Sequence, residues 1–154
     1  MRSLRVAKSY LRQAKARLED ALDALQEENH PYAVRLSQEC VELSLKAVLK
    51  AVGIEYPKIH EVSDLLSDIR DRFPDWFKTE IDFLRESSKL LFKKREPSLY
   101  GDEETLTPPN EVMDRKDAED ATKRAKKTYD LCEKLILELE GITRKKKNPN
   151  NMRF

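Results

Sequence analysis

Two histidines, two cysteines, one short acidic run and one uninterrupted basic stretch are the features of this sequence that suggest chemistry. His30 and His60 are its only imidazoles. A zinc site needs clustered His or Cys ligands, and neither a Cys-x-x-Cys nor a His-Glu-x-x-His spacing occurs. Glu27 and His30 have the Glu-x-x-His spacing of a di-iron carboxylate bundle. Pro31 follows at once, however, and Pro57 stands where a second Glu would precede His60. No metal and no cofactor is therefore expected. Three glycines cannot build a phosphate-cradling loop, so a phosphate must be met by Lys, Arg or a helix N-terminus.

The candidate residues fall into three groups. His60 follows Pro57-Lys58-Ile59 and precedes a helix. It would act either as a proton carrier or phosphate contact beside Lys58, or as a capping or packing residue, and the second is expected. Arg95 and Tyr100 lie in the stretch Arg95-Glu-Pro-Ser-Leu-Tyr-Gly-Asp-Glu-Glu104. Arg95 is a cation for an anionic ligand; Tyr100 would stack on a base or pack over the protein, with packing expected. Asp102, Glu103 and Glu104 would bind a divalent ion weakly. The plainer expectation is that they are solvated or paired with Lys93, Lys94 and Arg95. The third group is basic. Residues 2–17 carry Arg2, Arg5, Lys8, Arg12, Lys15 and Arg17 without an acid, and residues 19–28 carry five acids without a base. This polarity opposes the helix macrodipole. Arg5, Lys8, Arg12 and Lys15 share one face and would meet RNA or an acidic protein surface, unless acids elsewhere in the fold pair them.

The elements that must position these residues read as helices. Leu4, Ala7, Leu11, Ala14, Leu18, Ala21 and Leu25 recur at steps of three and four, which predicts a helix over about 3–28, capped by Ser3. A second is expected over 31–52, with Pro31 in its first turn and Gly53 past its end. It is apolar on most sides, and Ser37, Cys40, Ser44, Ala47 and Ala51 form a small-residue stripe that admits a neighbouring helix. It reads as the central helix. A short helix over 61–72, a fourth over 75–94, a loop over 95–116 and a last helix over 117–139, stopped by Gly141, complete the pattern. Loops as long as that one are uncommon in small domains and are often functional.

Composition agrees. Charged residues make up 38% of the 154, and the near-absence of glycine argues against sandwiches and barrels. The fold class expected is all-α, an up-and-down bundle of four to five helices over 1–141. A basic tail over 142–154 is expected to be disordered. No apolar run reaches the length of a membrane span, and residues 1–8 lack the apolar core of a secretory signal. Two cysteines within apolar helical patterns read as buried thiols of a reducing compartment. A cytoplasmic protein is expected. The formal charge of +1 does not by itself announce a nucleic-acid binder.

The stretch Tyr32-Ala-Val-Arg-Leu-Ser-Gln-Glu-Cys-Val-Glu-Leu-Ser-Leu-Lys-Ala-Val-Leu-Lys-Ala-Val-Gly53 resembles the second helix of HEPN domains. Pro57-Lys-Ile-His-Glu-Val62 is similar to that family's Pro-x-x-His-x-Leu connector, with Val62 in the Leu place. Tyr100-Gly-Asp-Glu103, and Asp117-Ala-Glu-Asp-Ala121 opening a long helix, resemble its later part. The resemblance implies an up-and-down helical bundle that usually dimerises. Family members are often encoded beside a minimal nucleotidyltransferase in toxin–antitoxin pairs; others bind nucleotides or are metal-independent RNases. The RNase members carry Arg, four to six residues, then His. Here the nearest Arg before His30 is Arg17 and before His60 is Arg35, so the element is absent. The expectation is a binding module and homodimer, partner of a minimal nucleotidyltransferase, with nucleotide or RNA as ligand. Lys58, His60, Arg95 and Tyr100 are its candidate ligand residues. The alternatives are an RNase with a non-standard set such as His60, Lys58 and Arg95, and a dimeric scaffold without ligand.

Overall fold

The computed structural model describes residues 2–147. Four long helices form the bundle: α1 (Arg2–Gln26), α2 (His30–Ala51), α5 (Ile81–Tyr100) and α7 (Arg115–Lys147). Three short ones, α3 (Asp64–Asp68), α4 (Asp75–Lys78) and α6 (Pro109–Val112), lie in the connections. Among the described residues there is no strand, only one antiparallel bridge between Asp102 and Thr107.

The long helices alternate in direction. Lys8 reaches Glu140 at one end of α1 and Arg115 approaches Glu28 at the other, so α7 runs antiparallel to α1. Lys94 meets Asp117 and Lys127 meets Glu80, so α5 also runs antiparallel to α7. This is the expected up-and-down bundle. α2 touches α1, α5 and α7 and is its centre. The small-residue stripe explains how: Ser37, Cys40, Ser44 and Ala47 are fully buried, and the Ser37 hydroxyl satisfies itself on the Ala33 carbonyl at 2.7 Å. Ala7, Ala14 and Ala21 of α1 and Ala118, Ala121 and Ala125 of α7 give the same close approach from the other side. Leu45, Leu49, Leu66, Phe77, Ile81, Leu84, Leu91, Leu135 and Ile136 fill the remaining space, each side chain contributing about 1.5–3 kcal/mol by burial.

Several boundaries differ from the sequence expectation. Ser3 lies inside α1 rather than ahead of it. The helix expected over 61–72 is shorter, because the Glu61 carboxylate accepts the Ser63 N–H at 2.9 Å and holds residues 61–63 out of helix. The helix expected over 75–94 is two: α4 closes where the Thr79 hydroxyl turns back on the Trp76 carbonyl at 2.8 Å, and α5 opens at Ile81. The loop expected over 95–116 is largely helical. α5 continues through Pro97 to Tyr100, and α7 begins at Arg115. Asp114 and Asp117 cap that start reciprocally, each side chain accepting the other's N–H at 3.0 Å. Gly141 does not stop α7, which runs on to Lys147. Residues 148–154 of the expected disordered tail lie outside the described residues.

Candidate functional site

The polar edge of α2 carries Arg35, Gln38, Glu39, Glu42 and Lys46, spaced so that they share one flank of the helix. α1 lies against one side of that flank and α5 against the other. Arg17 of α1 donates its Nε–H to one oxygen of Glu39 at 3.2 Å, and Arg35 donates to the other at 3.2 Å. Arg95 of α5 stands 3.7 Å from that second oxygen and donates to Gln38 Oε1 at 2.7 Å. Gln38 is 2% exposed and passes the chain on, its amide donating to Glu42 at 3.1 Å. Glu42 also accepts from Lys46 at 3.0 Å and holds His60 Nδ1 at 2.9 Å. One continuous network thus joins three helices and the connector after α2.

The connector is held in place by Tyr56. Its ring lies under the ammonium groups of Lys46 and Lys50, at 5.7 and 5.1 Å. Burial and a hydrogen bond with Tyr10 push its phenol well above the ordinary range. Beyond Glu39 the surface turns aromatic. Tyr32, Phe92 and Tyr100 are 43%, 42% and 60% exposed. Two shallow pockets, of about 350 and 390 Å³, share Leu99 as a wall; Tyr32 and Arg35 line one, and Phe92, Arg95 and Tyr100 line the other.

The structure therefore unites two of the four expected ligand residues, His60 and Arg95, in one network, and sets Tyr100 beside Arg95. Lys58 makes no hydrogen bond or ion pair among the described residues and stays outside the network. His60 neither caps nor packs: its side chain is 55% exposed and bonded to Glu42. Tyr100 does not pack over the bundle either; it closes α5 and faces solvent. Asp102, Glu103 and Glu104 are exposed, as expected of solvated acids, and form no ion pair with Lys93, Lys94 or Arg95 among the described residues; Asp102 accepts the N–H groups of Glu104 and Thr105. Among the described residues no group of His, Cys, Asp and Glu could hold a metal. Cys40 and Cys132 are buried, which pushes the Cys40 thiol up to about 12 and the Cys132 thiol well above its ordinary value.

On the first helix, Lys8 is paired with Glu140 at 2.6 Å. Arg5, Arg12 and Lys15 make no ion pair among the described residues, and Arg12 and Lys15 border a shallow depression. Arg17, Arg35, Gln38, Glu39 and Glu42 join the network without having been expected at a site. The signal was partial: Arg35, Gln38, Glu39 and Glu42 are polar positions on a helix otherwise buried, but nothing local says that α1 and α5 each bring an arginine to them.

An antiparallel four-helix bundle with an arginine-rich polar seam along its central helix defines an all-α helical module. Residues 7–135 match the HEPN domain family, and the chain belongs to it. The crystal structure of TT1696 from Thermus thermophilus is similar, with 28% identity and a TM-score of 0.69 over 83% of this chain and 96% of that one. The crystal structure of ST0689, an archaeal HEPN homologue, is similar with 25% identity and a TM-score of 0.65, over 84% of this chain and 97% of that one. No curated protein matches. Among the described residues no helix is long and apolar enough to cross a membrane.

Proposed function

We propose that this HEPN domain is a cytoplasmic, homodimeric binding module that takes nucleotide or RNA on its α2–α5 face. We propose further that it serves as the partner of a minimal nucleotidyltransferase in a toxin–antitoxin-like pair. The observation that carries the ligand reading is the convergence of Arg17, Arg35 and Arg95 on the single carboxylate of Glu39, with Tyr32, Phe92 and Tyr100 exposed beside it. Arginine groups meet phosphates, and exposed aromatic faces stack bases. The partner reading rests on membership of the family and on the usual gene neighbourhood of its members.

Anisotropy of a labelled single-stranded RNA tests the ligand reading. Arg35→Gln and Arg95→Gln should each weaken binding at least tenfold, and added salt should weaken it steeply. Binding indifferent to both variants and to salt removes this face from consideration. Arg5→Glu with Arg12→Glu, in the same assay, should weaken only longer RNA that reaches along α1. The partner reading predicts that a minimal nucleotidyltransferase is encoded beside the gene and co-elutes with this protein; no such neighbour, or separate elution at micromolar concentrations, contradicts it.

A specific observation favours the RNase alternative. Glu42 orients His60 as a carboxylate orients a general base, although the Arg–His element is missing. Cleavage of RNA that survives a chelator and vanishes in a folded His60→Ala variant would put that reading first. The binding reading expects intact RNA.

A further inference from the structure

The charge arithmetic around Glu39 narrows the ligand. Three guanidinium groups surround one carboxylate, leaving an excess of two positive charges. The neighbouring acid does not offset it, because Glu42 is already engaged by Lys46 and His60. On the pocket rim beside Arg95, Lys93 and Glu96 cancel each other. Donors are also left over. Arg35 spends only its Nε–H, Arg95 only Nη1, and Arg17 only Nε and Nη1, the last on Gln13 at 3.3 Å. Each guanidinium has five N–H groups, so every one of the three arginines keeps donors unspent among the described residues. The four side chains are half-buried, where unmatched charge is costly, so a merely structural cluster would tend toward charge balance.

We infer that this cluster is matched to a terminal phosphate monoester on a nucleotide or short oligonucleotide, rather than to the internal phosphodiesters of a chain. The inference rests on the nucleotide reading of the α2–α5 face. A monoester near neutral pH carries close to two negative charges and three acceptor oxygens, which matches the excess of two positive charges and the donors left unspent. An internal diester carries one charge and two free oxygens. Glu39 sets the match: it gathers the three arginines and lowers their sum to the charge of the monoester.

Calorimetry on the full chain with ApA, 5′-phosphorylated pApA, AMP and inorganic phosphate tests this. pApA and ApA differ only by the terminal phosphate, and pApA should bind at least tenfold tighter. In Arg35→Gln and Arg95→Gln, each with helicity confirmed by circular dichroism, that preference should fall below threefold. Equal binding of pApA and ApA overturns the terminal-phosphate assignment and leaves the nucleotide reading standing. Failure of all the nucleotides to bind overturns both. Displacement of pApA by inorganic phosphate as effectively as by AMP overturns the nucleotide part and leaves a bare phosphate site.

Discussion

The Glu61 carboxylate has most of its surface covered. Ser88 donates its hydroxyl at 2.8 Å, the Ser63 N–H comes within 2.9 Å, and Lys89 lies 3.4 Å from the other oxygen. Burial pushes its carboxyl up, but the hydrogen bonds from Ser63 and Ser88 and the charge of Lys89 outweigh burial, and the net shift is downward. Asp64 is lowered in the same way by Arg85 and Lys89. A carboxyl lowered in the folded state adds stability that is present above its unfolded value and lost as pH falls through the folded one. Ser88→Ala should therefore cost about 1.5–3 kcal/mol at neutral pH, the worth of a hydrogen bond to a charged group. The difference should shrink as acid protonates Glu61. Urea unfolding of both proteins across the acid range checks it; a penalty that does not change with pH would mean that the hydroxyl matters to packing and not to the carboxylate.

Two glycines belong to their elements in opposite ways. Gly101 ends α5 with φ of 68°, and a Cβ there would lie 2.0 Å from the Thr107 carbonyl oxygen. That carbonyl is fixed, because Asp102 and Thr107 exchange backbone hydrogen bonds at 2.9 Å. Gly101→Ala must break the turn or α5 and should cost more than about 2 kcal/mol, well above the ordinary glycine effect. Gly141 sits within α7, and a Cβ there meets nothing within 4 Å. Gly141→Ala should stabilise by about 0.5–1 kcal/mol, the difference between the two residues in a helix interior. Chemical denaturation of the two variants reads both effects, and equal responses would contradict a tight turn at Gly101 and a helix interior at Gly141. The same turn holds Leu106 with φ of 56° and 88% exposed, a position where Asn or Gly would relieve strain.

At the scale of the molecule, the aromatic cluster under α5 closes one end of the core. Phe77 is fully buried, its ring 4.7 Å from Phe73 and 5.6 Å from Trp76. Phe77→Ala should cost about 3–5 kcal/mol through the cavity it leaves, read as a loss of melting temperature. Trp76 and Phe83 are half-buried against the core, with the Lys134 ammonium 4.1 Å from one ring and that of Lys127 4.2 Å from the other. Other exposed apolar residues are free for the proposed homodimer, Leu22, Ile59 and Leu137 among them. Light scattering at micromolar concentration should give twice the mass of the 18.0 kDa chain; a monomer mass throughout would end the proposal.

The helices, their inward stripes and the family were legible in the sequence, because helical periodicity involves residues three and four apart and survives in one dimension. Ala7, Leu11, Ala14, Leu18 and Ala21 lie buried as their spacing predicts. Boundaries were less legible where a single side chain overrode the pattern, as Glu61 and Asp114 do. The seam was not legible. Arg95 and Gln38 are 57 residues apart, and Arg17 and Glu39 are 22 apart. Their meeting depends on the axial register in which α1 and α5 pack against α2, and that register is set by the summed fit of buried side chains along whole helices. A guanidinium reaches a carboxylate within a few ångströms or not at all, so only the tertiary structure decided which charges met.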